Sequence, residues 1–302
     1  MAFEWKGYHH GESLPFKKFC RADSQKTKIS MKIRLLVAYD GTAFRGFQSQ
    51  THGKTVQDTL EEVIAVIVGE RVILHASGRT DAGVHALGQT VHFELTPEQV
   101  TRIGRMGEPD RWIAALNSSL PPELRVMKAS RAPRDFHARF STSGKIYRYE
   151  IWNDPVLPPH LVNRSWHLFS TLNRVMIRDL AKSVEGTHDF RGFCADSGSL
   201  PESTVRTISR VIVKERGPSI SITLEGDGFL YRMVRMIVGG MVRVAQEKEE
   251  SRVFLKRLAD GKPWPTPAMA PAHGLYLIKA LYGNQGKKGK RTAPGNTETR
   301  AT

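Results

Sequence analysis

Between residues 32 and 282 the apolar side chains of this chain recur by turns at strand spacing and at helix spacing, so the fold must set strands against helices. KIRLLVAYD (32–40) is a β-branched, apolar run that stops at the turn signal Asp40-Gly41. Thr55-x-x-Asp58 resembles a capping box, and Val56, Leu60, Val63, Ile64 and Ile67 follow at helical spacing until Gly69. RVILHASG (71–78) and QTVHFEL (89–95) predict two strands around a glycine-containing turn exposed to solvent. In the second, Val91, Phe93 and Leu95 alternate with Thr90, His92 and Glu94, the pattern of a half-buried strand.

The same grammar recurs downstream. KIYRYEIWN (145–153) reads as a strand and residues 172–184 as a helix. Residues 206–228 read as a hairpin turning at Gly217-Pro218. Met233, Val234, Ile237, Val238, Met241 and Val242 stripe a helix over 232–248, SRVFLKRLAD (251–260) adds another, and GLYLIKALY (274–282) is a last strand. The expectation is an α+β fold of two similar α/β halves, each an antiparallel sheet flanked by helices, spanning 31–141 and 142–282.

Charge narrows the function. Of 302 residues, 45 are Lys or Arg and 30 are Asp or Glu, a net charge of +15 that favours a polyanionic partner such as nucleic acid. Residues 1–30 carry +3 and read as a flexible arm, and 283–302 carry +4 and read as a disordered basic tail, which leaves +8 between them. The arm lacks the apolar core of a secretory signal and contains Glu4, Glu12 and Asp23, unlike a transit peptide. No apolar run approaches the ~18 residues needed to span a bilayer. Cys20 and Cys194 are too few for a disulfide framework or a four-cysteine zinc site. A cytoplasmic protein is expected, with organellar targeting left open.

ASGRTDAGVHALGQTVHF (76–93) concentrates Arg79, Asp81 and His85 on one tight connection. Arg79 and Asp81 stand two residues apart, so an extended backbone puts them on one side, where a carboxylate beside cations serves as nucleophile or base. The plain alternative is an aspartate capping turn N–H groups beside a solvated arginine, and spacing alone favours it. His85 reads as a residue that orients backbone, since no further ligands lie at metal-site spacing. Arg235 falls in the first turns of the 232–248 helix, where the macrodipole disfavours a cation and calls for compensation, unless the side chain snorkels to solvent, a role Arg232 could fill instead.

GRTDAGVHA (78–86) resembles the signature of the TruA-type tRNA pseudouridine synthases. YDGTAFRGFQSQ (39–50) with TVQDTLEEVI after it, FHARFSTSGKIYRY (136–149), FLYRMVRMIVGG (229–240) and PAHGLYLIKALY (271–282) resemble further motifs of that family, in the family's order. The resemblance implies isomerisation of uridine in the anticodon stem-loop of tRNA by a homodimer, without metal or organic cofactor, in a cleft between the two halves of a pseudouridine synthase fold. It implies that Asp81 is the catalytic aspartate, that Arg235 pairs with it, that Arg79 helps extrude the target nucleotide, and that Tyr147 is the active-site tyrosine. Lys145, Tyr147, Tyr149 and Ile151 share one strand face, so at least one of the tyrosines is expected simply to pack. Phe44 and Phe47, near the first turn, could stack on RNA, with core packing the stronger expectation. The chain departs from the pattern at Ala38, where an acidic residue is common, and at Phe47, where tryptophan is common. Ala38 also removes the nucleophile that an aspartyl-phosphate phosphatase reading of AYDGT would need. A binding protein without catalysis is the remaining rival, and it would not need Arg79, Asp81, Tyr147 and Arg235 together.

Overall fold

The computed structural model describes residues 30–195, 202–262 and 269–283. The predicted arm and basic tail fall almost wholly outside the described residues. In chain order the first elements are β1 (Met31–Tyr39), α1 (Val56–Val68), β2 (His75–Ala76), β3 (His85–Leu95), α2 (Pro97–Ile103), α3 (Pro109–Ser119) and β4 (Leu124–Ala132). There follow β5 (Gly144–Asn153), β6 (Trp166–Leu168), α4 (Arg174–Ser183), β7 (Gly186–Asp189), β8 (Val205–Arg216), β9 (Ser219–Gly226), α5 (Met233–Ala245), α6 (Ser251–Asp260) and β10 (Leu275–Leu281).

Local chemistry accounts for the element ends. Thr55 caps α1 by accepting from the Asp58 N–H at 3.1 Å and donating to the Asp58 carboxylate at 2.6 Å, an arrangement worth about 1 kcal/mol. Gly69 ends that helix in the left-handed conformation at φ 84°, where a Cβ would be strained. The β8–β9 hairpin turns at Gly217-Pro218, as the periodicity predicts. Helices α2 and α3 and strand β4 are not predicted by it. The α2 start has a complete capping box, Thr96 with Gln99, behind Pro97.

The described strands form one mixed sheet rather than two antiparallel ones. Its order is β4-β1-β3-β10-β5-β9-β8-β7, with β2 edging β3 and β6 edging β5. The expectation of separate sheets fails because β10 lies between the two sets of strands, parallel to β3 through Tyr276 opposite His85 and antiparallel to β5 through Leu277 opposite Tyr147. The strand predicted at 71–78 shrinks to His75–Ala76: Val72 and Leu74 are still buried, but only two residues find a ladder partner.

The half-buried reading of β3 is corrected as well, since Thr90 and His92 are as buried as Val91 and Phe93. The segment after β4 crosses that face, with the Ala138 N–H donating to His92 Nδ1 at 3.2 Å and the Tyr282 hydroxyl donating to the Ala138 carbonyl at 2.7 Å. β1 keeps strict alternation, burying Met31, Ile33, Leu35, Val37 and Tyr39. Each such side chain contributes about 1.5–3 kcal/mol of apolar burial.

Candidate active site

The β2–β3 connection, residues 77–84, is held from three directions. Gln89 Nε2 donates to the Gly78 carbonyl at 2.6 Å, and the Tyr39 and Thr80 hydroxyls share a hydrogen bond of 2.8 Å. The Phe47 N–H donates to the Thr80 carbonyl at 3.1 Å, and the Val84 N–H closes the turn on the Asp81 carbonyl at 3.1 Å. Burial pushes the Tyr39 hydroxyl up to about 12, so it serves this network as a neutral phenol. The 41–47 loop lies close against the turn: a Cβ on Gly46, itself at φ +90°, would stand 2.9 Å from the Thr80 carbonyl oxygen. The predicted exposure of the turn holds only in part, because Thr80 and Val84 are buried, Arg79 and Ala82 are exposed, and Asp81 lies between.

That scaffold leaves the Asp81 carboxylate beside the start of α5. Arg235 Nη1 donates to Asp81 Oδ2 at 2.7 Å, with the arginine side chain 9% and the aspartate 20% exposed. Arg235 is itself fixed, donating from Nε to the Ala270 carbonyl at 2.8 Å, while the Ala270 N–H donates to the Arg235 carbonyl at 3.0 Å. A cation in the first helical turn opposes the macrodipole, and the carboxylate offsets it.

Arg232, which the sequence offers only as an alternative candidate for a solvent-facing arginine, is a second cation at the site. It precedes α5 in the left-handed region at φ 58°, its Nε lies 3.7 Å from Asp81 Oδ2, and its guanidinium stands 4.6 Å from the centre of the Tyr231 ring. Among the described residues its Nε has no hydrogen-bond partner. No periodicity could have revealed it, because a side chain leaving a left-handed residue does not follow the helix's own stripe.

Tyr147 borders the same site. It is buried, with its ring edge-to-face with Phe229 at 5.0 Å. Its hydroxyl is pushed well above the ordinary phenol range, first by burial and then by Tyr39 and Asp81. Tyr149 is the packing tyrosine of the pair: fully buried, it donates to the Pro271 carbonyl at 2.7 Å. Arg79 is exposed and forms no hydrogen bond or ion pair among the described residues, so the structure does not join it to the Asp81 cluster. Phe44 and Phe47 are buried, as expected.

His85 orients backbone. The Gly41 N–H lies 3.1 Å and Asp40 Oδ1 3.2 Å from Nδ1, while Nε2 lies 2.9 Å from the Asn163 carbonyl and 3.1 Å from that of His273. Residues 270–273 thereby tie Arg235, Tyr149 and His85 together from one short segment. Among the described residues no group of three or more His, Cys, Asp or Glu side chains is placed to hold a metal ion. No described helix is long and apolar enough to cross a membrane.

A carboxylate paired with a buried guanidinium beside a neutral phenol suits chemistry at an electrophilic carbon, and comparison with known proteins gives the class. A family model described as tRNA pseudouridine synthase matches residues 35–141 and 180–283, and the chain belongs to that family of isomerases. Three proteins named tRNA pseudouridine synthase A illustrate the likeness. That of Geobacillus kaustophilus is 39% identical over 261 residues, covering 85% of this chain and 96% of the relative. The Akkermansia muciniphila protein is 40% identical over 260 residues, 83% and 95% of the two chains. The one from Acetivibrio thermocellus is 38% identical over 250 residues, 83% and 99%.

Proposed function

We propose that this site isomerises uridine to pseudouridine in the anticodon stem-loop of tRNA, with Asp81 as the catalytic carboxylate in a cleft between the halves 31–141 and 142–282. The observation that carries the reading is the 2.7 Å pair of Asp81 with Arg235, a contact between those halves. The C1′–N1 bond breaks, the uracil turns, C5 bonds to C1′, and the proton on C5 leaves as N1 gains one. Attack at C1′ and removal of the 2′-proton both need a carboxylate held in place, which the fixed Arg235 guanidinium provides. A target inside the stem-loop must leave its stack, at a cost of a few kcal/mol. Exposed Arg79, without a hydrogen-bond or ion-pair partner among the described residues, suits holding the extruded nucleotide. The Tyr147 ring offers a face to the base, and a phenol kept neutral by burial relays a proton rather than storing charge.

Partners follow the family: tRNA lying across a homodimer, without an added cofactor. The test is incubation of purified protein with an unmodified tRNA transcript pool in the absence of cofactors, then pseudouridine mapping. Pseudouridine in the anticodon stem-loop is expected. None there would overturn the assignment.

A further inference from the structure

Lys145 is the second residue of β5, two before Tyr147 and on the same strand face. Its ammonium is directed at the catalytic turn, with Nζ only 3.0 Å from the point where a Cβ on Gly78 would stand. Lys145 is half-buried, and an ammonium partly removed from water needs an opposite charge or acceptors. Lys145 has neither: it forms no hydrogen bond or ion pair among the described residues. Among the described residues the charges that lower its pKa are those of Arg139 and Arg206, both cations.

Arg139 is exposed in the segment before β5, and Arg206 sits near the start of β8, with its Nε 3.4 Å from where a Cβ on Gly228 would stand. The missing Cβ atoms at Gly78 and Gly228 leave backbone open beside the cations. Phe229, next to Gly228, is the ring packed on Tyr147. Lys145 thus stands at the catalytic turn, and Arg206, whose Nη1 also donates to the Ser203 and Val205 carbonyls, stands beside Gly228, next to the ring packed on Tyr147.

We propose that Lys145, with Arg139 and Arg206, forms an anion site that holds a backbone phosphate of the RNA strand beside the nucleotide presented to Asp81. The inference rests on the tRNA reading above. A phosphate oxygen supplies the acceptor and the opposite charge that Lys145 lacks, and both arginines add to its hold. Burial, then Arg139 and Arg206, lower the ammonium of the protein alone to about 8, the direction expected of a cation waiting for an anion. Lys145 is a positioning residue: it fixes the strand while Asp81 meets the sugar.

The test is tRNA binding by the full chain at several salt concentrations, for wild type, Lys145→Met, Lys145→Arg and Arg206→Gln. Losing one phosphate contact reduces the slope of log affinity against log salt by about 0.7–0.9, so the affinity ratio between about 50 and 200 mM salt shrinks about threefold. Lys145→Met and Arg206→Gln are expected to show that reduction, and Lys145→Arg to keep the wild-type slope. An unchanged slope in Lys145→Met overturns the proposal. If that variant fails to fold, Arg206→Gln at its half-buried position decides in the same way. Pseudouridine formation by wild type is scored on the same tRNA. If wild type binds but forms none, the reaction assigned to the site fails while the slopes still decide Lys145.

Discussion

Asp81 and Arg235 hold each other in place, and their separate removal has different consequences. Asp81→Asn keeps the shape but supplies neither nucleophile nor base, so pseudouridine formation is expected to fall by about 10⁴-fold or more with tRNA affinity nearly unchanged. Quantitative pseudouridine mapping beside a binding titration checks it, and substantial turnover by the variant would remove Asp81 from its role. Arg235→Met keeps helix propensity but leaves the Asp81 carboxylate without its 2.7 Å donor and the Ala270 carbonyl without its Nε partner. The expected cost is about 3 kcal/mol of stability, and pseudouridine formation falls because the carboxylate loses the donor that orients it. Turnover equal to wild type would separate the pair from catalysis. The two tyrosines differ in kind. Tyr147→Phe is expected to lower kcat more than it raises KM, whereas Tyr149→Phe loses only the bond to Pro271 and lowers stability by about 1 kcal/mol. Steady-state kinetics with thermal melts of both variants tell them apart, and greater kinetic damage from Tyr149→Phe would reverse the assignment.

Among elements, the β2–β3 turn depends on contacts that no local pattern encodes. Thr80 and Asp81 are about 40 residues from Tyr39 and 154 from Arg235, so sequence spacing shows the turn but not what grips it. Gly41 is one grip: a Cβ there would lie 2.1 Å from the Val84 carbonyl oxygen, a backbone atom with little freedom to give way. Gly41→Ala is expected to lower the melting temperature by several degrees and turnover with it, about 1–3 kcal/mol of overpacking. An unchanged melt would show that the turn can shift without cost. β3 teaches the same lesson about faces, since its alternation predicts one exposed side and the segment at 133–142 covers it. That covering buries His92 beside His75 and His137, with ring centres 5.0 and 4.7 Å away. Burial first, then His137, His75 and Lys32, lower His92 to about 4, against the opposing pull of Glu94. In the unfolded chain a histidine titrates near 6.5, so the unfolded state takes up the proton first, and stability falls as pH drops from about 6.5 towards 4. His92→Gln, still able to accept from the Ala138 N–H, is expected to show a smaller drop in melting temperature between pH 7 and pH 5 than wild type.

For the whole molecule, the strands and helices at the ends of the chain were largely legible from periodicity, but their joining was not. β10 is an ordinary apolar run in sequence, and its place between β3 and β5 follows from pairings across about 190 and 130 residues. That placement brings the 270–273 segment against Arg235, Tyr149 and His85, and so completes the site from the far end of the chain. Net charge acts at the same scale. With +15 overall and +8 within 31–282, the protein carries enough cations to contact many phosphates, and each contact releases counterions. For roughly 6–10 phosphates, tRNA affinity is expected to fall by about three to five orders of magnitude between about 50 and 200 mM salt, the upper end being calibrated on duplex DNA. Removing residues 284–302 takes away net positive charge, but the 2.7 Å pair of Asp81 with Arg235 and the buried Tyr147 belong to the remainder. The truncated protein is therefore expected to bind with a modestly flatter salt slope and to modify the same uridine, and EDTA is expected to leave turnover on prefolded tRNA unchanged. Mapping pseudouridine for both forms checks this. A changed position would make the tail part of substrate recognition, and inhibition by EDTA would bring a metal into the reaction.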